Sequence, residues 1–310
     1  MTIFKALVIK DLQANKKSLL VPIWYLLGSY VIMAASIIFA SINGNENVTV
    51  SGIPLNLLAN NNLHIMMSFT IQAAMFFGFL GFVFAISMSI TSSTMLNQDI
   101  KHKCELFHRS QPVSILQIAG ARFVAGVGGP IALAFIIGVI NMLLSLLAVS
   151  IMTPMRIDLW MSLNGFLLSW MHFSIAIMVL GSILFLASSI FRDNAFGFTL
   201  GGISVLQVVS FFLNKIYGWH IPYVYKILYK FIMSGILDIR KSMPTLQEFG
   251  LVTINNAGQA PDFSKFVIPD NFLNIMWSSL FTGDIAMKFG ICAILFVVAT
   301  YFYHKREVQF

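Results

Sequence analysis

Long apolar runs separated by short polar segments dominate the chain. Six of these runs are long enough to cross a hydrocarbon core about 30 Å thick as helices, which takes about 20 residues. They cover roughly residues 19–42, 67–92, 123–152, 160–190, 196–213 and 289–303. Their polar and apolar positions do not alternate as they do in barrel strands, and lipid accepts only helices or closed barrels. The pattern therefore predicts an all-α polytopic membrane protein with six transmembrane helices in one domain, residues 1–310.

Composition supports this prediction and removes one alternative. The 310 residues are 58% hydrophobic and only 10% charged, with a mean hydropathy of +0.84, whereas soluble domains carry about 25% charged residues. The net charge of +7 could indicate a nucleic-acid partner, but the basic residues flank apolar runs, as the positive-inside rule predicts. We therefore expect a lipid bilayer around the chain and no nucleic acid.

The distribution of basic residues predicts the orientation. Residues 1–17 carry four lysines, and the segment 94–122 carries four more Lys and Arg. The polar segments around residues 43–66 and 153–158 carry only Arg156. Cytoplasmic loops hold the excess of Lys and Arg, so we expect both termini and residues 94–122 to be cytoplasmic. The segment 215–287 is then extracytoplasmic; it is basic too, but long loops escape the rule.

Three polar segments have further predicted structure. Residues 1–17 are weakly amphipathic, so they form either an interfacial helix or a frayed cytoplasmic tail. Residues 220–237 place Lys226 and Lys230 on one face of an apolar helix, which favours an interfacial or re-entrant helix over a seventh span. A second such candidate lies between Asp270 and Asp284.

The segment from Asp99 to Arg122, which we call the connector, has the densest charge in the chain. Ile100, Cys104 and Phe107 recur at helical spacing, and Glu105 precedes Arg109 by four residues, a favourable pairing on a helix. Pro112 ends this helix because the residue before a proline avoids the α region. Ser114 is a suitable N-cap for the next helix.

This arrangement resembles the second cytoplasmic loop of ABC-2 type permeases. The resemblance lies in Glu105-Leu106-Phe107 and Gln111-Pro112-Val113-Ser114, followed by Arg122; residues 101–104 depart from the family's usual acidic-basic-acidic run and Gly-Thr. In that family the loop is a coupling helix that sits on the ATPase subunit. The residues to which the resemblance assigns this role are Ile100, Lys103, Glu105, Leu106, Phe107, Arg109 and Pro112. The alternative is an ordinary solvated loop.

The resemblance extends over nearly the whole chain and implies the transmembrane subunit of an ABC exporter. Such a subunit works as a homodimer or heterodimer with two copies of a separate ATPase, which binds ATP and Mg²⁺. A multi-pass position in a bacterial cytoplasmic membrane follows from the same resemblance. A structural membrane subunit that transports nothing, or a membrane enzyme, remains an alternative, and the sequence does not identify a substrate.

Motifs for independent chemistry are missing from the sequence. No G-x-x-x-x-G-K-[ST] phosphate loop occurs, and the six histidines do not cluster at metal-ligand spacing. We therefore expect no catalytic residue, metal or cofactor in this chain. No Asp, Glu, Lys or Arg lies in the middle of a predicted span, which argues against a proton- or sodium-coupled transporter.

A few residues inside the spans remain candidates for function or packing. His172 is the intramembrane ionisable side chain, and it either lines a substrate pathway or forms a hydrogen bond to a neighbouring helix. Gly197 and Gly201 form a small-xxx-small pair that predicts a close helix or dimer contact. The segment Gly126–Pro130 predicts a kink or a site of close packing.

Overall fold

The computed structural model describes residues 3–42, 61–97, 113–152, 157–191, 194–229 and 271–308. Every regular element in these ranges is helical. The α-helices are α1 (Ile3–Ala14), α2 (Lys16–Ile42), α3 (Asn61–Ala74), α4 (Phe82–Thr94), α5 (Ile115–Phe123), α6 (Gly129–Met152), α7 (Leu159–Ile190), α8 (Ala195–Tyr217), α9 (Phe272–Ser278) and α10 (Gly283–Val308). Two π-helical segments, Met75–Gly81 and Val124–Gly128, join α3 to α4 and α5 to α6, and a 3₁₀ turn, Ser279–Phe281, follows α9.

Six helical stretches of the described chain have the length and apolar composition needed to cross a membrane. They are Lys16–Ser36, Met67–Thr94, Ile115–Ser150, Leu159–Ile190, Ala195–Tyr217 and Phe272–Lys305. The predicted all-α class and the six spans are confirmed at this level. The fourth span agrees with the sequence prediction to within one residue.

Two spans begin earlier than predicted. The third starts at Ile115, so Arg122 lies inside a helix and not in a polar connector. The last starts with Phe272, seventeen residues before the predicted start at Phe289. In both cases a basic residue was taken as a boundary, whereas Arg122 and Lys288 are buried with partners inside the bundle.

Aromatic side chains fill the centre of the helical bundle. Phe76 is fully buried and makes edge-to-face contacts with Phe166 and Phe173 of α7, at centroid distances of 5.7 and 5.5 Å. Phe84 of α4 contacts the same Phe173 ring. Such pairs contribute about 0.5–1.5 kcal/mol beyond the area that they bury. The core therefore forms around α7, and side chains of α2, α4 and α6 also contribute to it.

Contacts between helices fix their relative directions. Along α7, Asn164, His172 and Phe185 meet Trp277, Ser279 and Phe296 in the same order, so α7 and the last span run parallel. The second and fourth spans are also parallel, because Ser68 bonds to Asp158 at one end and Asn97 to Phe191 at the other.

The third span runs against the second. Gln72 pairs with Ser145, and Ser92 pairs with Gly126, so the order of contacts is reversed. Consecutive spans therefore alternate in direction wherever these contacts define it. We call the end with Asn97 and Ser114 the connector end and the other the opposite end.

Candidate functional site

The predicted coupling helix lies outside the described residues. Ile100, Lys103, Glu105, Leu106, Phe107, Arg109 and Pro112 all fall in the segment 98–112. Its two flanks are described, at Asn97 and at Val113–Ser114. The geometry of the candidate site is therefore that of the helices to which the connector is attached.

The two flanks of the connector are held differently, one by a local helix cap and one by a hydrogen bond to another span. Ser114 caps α5, since its hydroxyl accepts a hydrogen bond from the Gln117 backbone N–H at 3.3 Å, which confirms the predicted N-cap. On the other side, the Asn97 side chain donates to the Phe191 carbonyl at 2.9 Å. Asn97 is buried, so this bond holds the end of the second span to the end of the fourth.

The third span changes its winding soon after the connector. At Val124–Gly128 the chain is π-helical, and the Gly129 N–H donates to the Val124 carbonyl five residues earlier. Pro130 lacks an N–H and cannot donate to Gly126, whose carbonyl instead accepts from Ser92. Single π-helical turns inside α-helices occur often at functional sites.

Close packing surrounds this π-helical segment. A Cβ at Gly126 would lie 2.8 Å from Met95 Cγ, and one at Gly129 would lie 2.7 Å from Leu12 Cδ2. The predicted segment Gly126–Pro130 is therefore both a change of winding and a packing site. Leu12 belongs to α1, so the N-terminal helix touches the third span at this point.

A buried arginine joins α5 to the end of α10. Arg122 is 4% exposed, its guanidinium donates to the Tyr303 hydroxyl at 3.0 Å, and its Cζ lies 5.3 Å from the centre of the Tyr303 ring. Asn15, between α1 and α2, donates to Met95 Sδ at 3.5 Å. The N-terminal helix and the end of the last helix thus both meet the connector end of the bundle.

A row of polar contacts, which we call the polar seam, lies between α7 and the last span. The Trp277 indole donates to Asn164 Oδ1 at 2.9 Å, and His172 Nε2 lies 3.0 Å from Ser279 Oγ. Ser279 Oγ also lies within hydrogen-bonding distance of the Met276 carbonyl, which can accept from its hydroxyl. His172 is buried, and this contact is the helix-to-helix hydrogen bond that the sequence left open.

The polar seam also contains an ion pair between a buried lysine and a partly exposed aspartate, which the sequence did not predict. Lys288 is 2% exposed, and its ammonium lies 3.2 Å from Asp284 Oδ2, one turn earlier on α10. Ionisable groups thus enter the bundle on α10, where the sequence placed a lysine at the membrane border. The i, i+4 spacing of Asp284 and Lys288 was the signal that could have indicated them.

The predicted glycine contact has no partner within the described chain. A Cβ at Gly201 would meet no atom within 4 Å, and one at Gly197 would only reach Asn194 Cβ at 4.0 Å. Most of α8 is exposed, with Ala195 and Ser210 its buried residues. The close approach occurs instead on α7, where a Cβ at Gly165 would lie 2.5 Å from the Phe69 carbonyl oxygen.

A small cavity lies near the opposite end, between α3, α6 and α7. It has a volume of about 10 Å³, and Ser68, Gln72 and Ser162 are among the residues that line it. Ser162 Oγ is buried and has no hydrogen-bond partner within the described chain. The cavity has room for about one water molecule, which Ser162 could bind.

The segment after α8 is described as far as residue 229. Its chain becomes helical at Val224, and the Tyr225 N–H donates to Gln207 Oε1 of α8 at 3.1 Å. Residues 230–270, including most of the predicted helix 220–237, lie outside the described residues. The second candidate, between Asp270 and Asp284, is α9, and it packs Phe272 and Met276 into a small core with Phe69 and Leu168.

Within the part of the chain that the structure describes, no group of three or more His, Cys, Asp or Glu side chains is placed to hold a metal ion. Comparison with family models, with curated proteins and with solved structures gave no match. The residues that could act chemically are those of the connector end and of the polar seam.

Proposed function

We propose that this chain is the membrane-spanning permease subunit of an ATP-driven exporter of the ABC-2 type, coupled through the 99–114 helix to a separate ATPase subunit. One observation supports the proposal above the others: both flanks of the connector are tied to other helices at one end of the bundle. Asn97, just before the connector, bonds to the fourth span, and Arg122 of α5, just after it, bonds to the last span.

The route for mechanical coupling starts at the Ser114 cap. A displacement of the connector moves α5, which continues without a break into the π-helical segment Val124–Gly128. That segment packs against Met95 at the end of the second span. Because packed cores transmit strain and have low compressibility, a push on the connector tilts the second and third spans together.

Charge supports a cytoplasmic position for the connector end. Lys5, Lys16 and Lys17 are exposed there, and so is Lys305 near the end of α10. Cytoplasmic surfaces hold the excess of Lys and Arg. The connector, both termini and the ATPase site then share one side of the membrane.

The assembly follows from the same proposal. Two permease chains, identical or different, associate with two ATPase subunits, which bind ATP and Mg²⁺. The exposed face of α8 around Gly197 and Gly201 is available for the contact between permease chains. His172 is part of a seam that borders α10, so it would sense a movement of α10 without itself lining an open pathway.

The test is purification of the tagged chain from its native membrane, followed by assay of bound ATPase activity. Leu106→Ala with Phe107→Ala removes two apolar side chains of the connector. Full burial of such a side chain contributes about 1.5–3 kcal/mol, so we expect the double variant to bind the ATPase at least about tenfold more weakly.

The matched control is Leu27→Ala with Phe39→Ala, the same pair of substitutions on the exposed face of α2. It should leave ATPase binding unchanged. An ATPase that binds both variants as well as the natural chain, with unchanged transport, overturns the coupling role. Purification without any nucleotide-hydrolysing partner favours the structural-subunit alternative.

Orientation is tested separately by cysteine accessibility. After Cys104 and Cys292 are replaced, single cysteines are introduced at Lys5 and at Lys241. We expect an impermeant thiol reagent to label position 5 from the cytoplasmic side only and position 241 from the outside only. Labelling of position 241 from the cytoplasmic side contradicts the six-span orientation.

A further inference from the structure

The N-terminal segment presents exposed basic side chains, whereas its own acidic residue is buried. Lys5 of α1 and Lys16 and Lys17 of α2 are exposed, and we call these three side chains the basic patch. Asp11 is the only acidic residue among the first 45, and it is buried. The exposed surface of this segment is therefore cationic.

The position of α1 brings the patch to the level of a membrane surface. A helix of 27 residues such as α2 is about 40 Å long at 1.5 Å per residue, whereas the hydrocarbon core is about 30 Å thick. Its first turn, which contains Lys16 and Lys17, extends beyond the hydrocarbon, because a charged side chain is costly at the bilayer centre.

Contacts hold α1 beside the start of the third span. Phe4 lies against Gly120 of α5, and Leu12 against Gly129 of α6. Ile3 and Phe4 remain substantially exposed on α1, as does Leu116 on α5. Exposed apolar side chains next to lysines are typical of a helix that lies at the boundary between headgroups and acyl chains.

We propose that Lys5, Lys16 and Lys17 form a binding site for anionic phospholipid headgroups. The lysines supply charge complementary to a lipid phosphodiester, and the exposed apolar residues contact the acyl chains beside it. The burial of Asp11 removes the carboxylate that would repel the lipid. This inference does not depend on the proposed transport function, since it concerns only the surface of the membrane domain.

The test measures thermal unfolding of the purified full chain in a neutral detergent, titrated with phosphatidylglycerol or with phosphatidylcholine. We expect phosphatidylglycerol to raise the unfolding midpoint and phosphatidylcholine to have little effect. Each basic residue near an anionic surface contributes about fivefold in affinity, so Lys16→Gln with Lys17→Gln should weaken phosphatidylglycerol binding by about 25-fold. Lys5→Gln alone should weaken it about fivefold.

Matched variants separate this site from general charge effects. Lys215→Gln with Lys226→Gln removes two exposed lysines of the opposite end and should leave the titration unchanged. Lys16→Arg with Lys17→Arg keeps the charge and should keep most of the affinity. High salt should weaken the natural chain's response, because the Debye length falls from about 10 Å at 0.1 M to about 3 Å at 1 M.

Several results overturn the proposal. One is equal stabilisation by phosphatidylglycerol and phosphatidylcholine. The lysines would then contribute only to the orientation of the chain in the membrane. Another is an unchanged response in both Lys5→Gln and the Lys16, Lys17 double variant. Stabilisation by inorganic phosphate as large as that by phosphatidylglycerol would assign the site to a free anion and not to a lipid. Lys5 lies outside the spans. The Lys5→Gln variant therefore tests the site even if the variant with Lys16→Gln and Lys17→Gln inserts poorly into the membrane.

Discussion

Helices α7 and α8 follow each other in the chain and are both apolar enough to cross a membrane, yet they have opposite surroundings. Eighteen of the 32 residues of α7 are buried, whereas two of the 23 residues of α8 are. Other helices cover α7, while α8 contacts the other described residues along little of its surface. Hydropathy therefore identifies a span, but the position of that span in the bundle depends on which of its side chains have partners.

The largest difference between the two helices should come from an aromatic substitution. Phe76→Ala removes a fully buried ring that contacts two rings of α7, and we expect a loss of about 3–5 kcal/mol in unfolding free energy. Phe212→Ala on the exposed surface of α8 should cost less than about 0.5 kcal/mol. Denaturant titration in detergent micelles measures both. Equal losses for the two variants contradict a central α7.

Two glycine-to-alanine substitutions, one in α7 and one in α8, test the same difference in packing. Gly165→Ala introduces a Cβ against the Phe69 backbone, which cannot yield as a flexible side chain does, so we expect a loss of about 1–3 kcal/mol. Gly201→Ala meets open space and should be neutral or slightly stabilising, because alanine is the better helix former. Thermal midpoints of the two variants in the same detergent distinguish the sites. A neutral Gly165→Ala shows that α3 and α7 are not in close contact.

Association between chains is the next test of α8. If its glycine face forms the contact between permease subunits, Gly201→Leu should weaken that association through overpacking by about 1–3 kcal/mol. The stability of the single chain should not change, since a Cβ placed at Gly201 meets no neighbouring atom of the described chain within 4 Å. Light scattering of the purified protein at several concentrations measures the association. An unchanged dimer rejects Gly197 and Gly201 as the contact and leaves α8 facing lipid.

The smallest expected effect concerns the polar seam. Ser279→Ala removes the hydroxyl that forms the hydrogen bond with His172, and hydrogen bonds between helices in membranes contribute about 0.6 kcal/mol on average. Ser204→Ala makes the same substitution at an exposed position of α8 and should have no effect. Parallel unfolding titrations resolve the difference. A loss at Ser204 as large as that at Ser279 removes the distinction between the seam and the α8 surface.

The sequence predicted the helices well because their length follows from membrane thickness and their ends from polar residues. It predicted the packing less well. Gly197 and Gly201 were chosen for their spacing, whereas the close approach is at Gly165, a residue with no glycine partner four positions away. The spacing of glycines within one helix does not show which side chains the neighbouring helix places at the same depth in the membrane.

Charged residues were misplaced for a related reason. Arg122 and Lys288 were taken as borders of spans, since an isolated charge is costly in lipid. Each is buried beside a partner: Arg122 donates to the Tyr303 hydroxyl, 181 residues away in sequence, and Lys288 pairs with Asp284, four residues away. The remote partner could not be identified from one sequence. The connector residues Ile100 to Pro112 lie outside the described residues, so their coupling role remains a prediction.

The parallel pairing of α7 with the last span has a consequence for biosynthesis. The ribosome adds about 5–20 residues per second, and Trp277 follows its partner Asn164 by 113 residues. The fourth span therefore waits roughly 6–23 seconds for that partner to leave the ribosome. During this interval the Asn164 and His172 side chains have none of their final contacts with the last span. A chaperone or insertase that shields α7 during this time would prevent its premature association with other nascent helices.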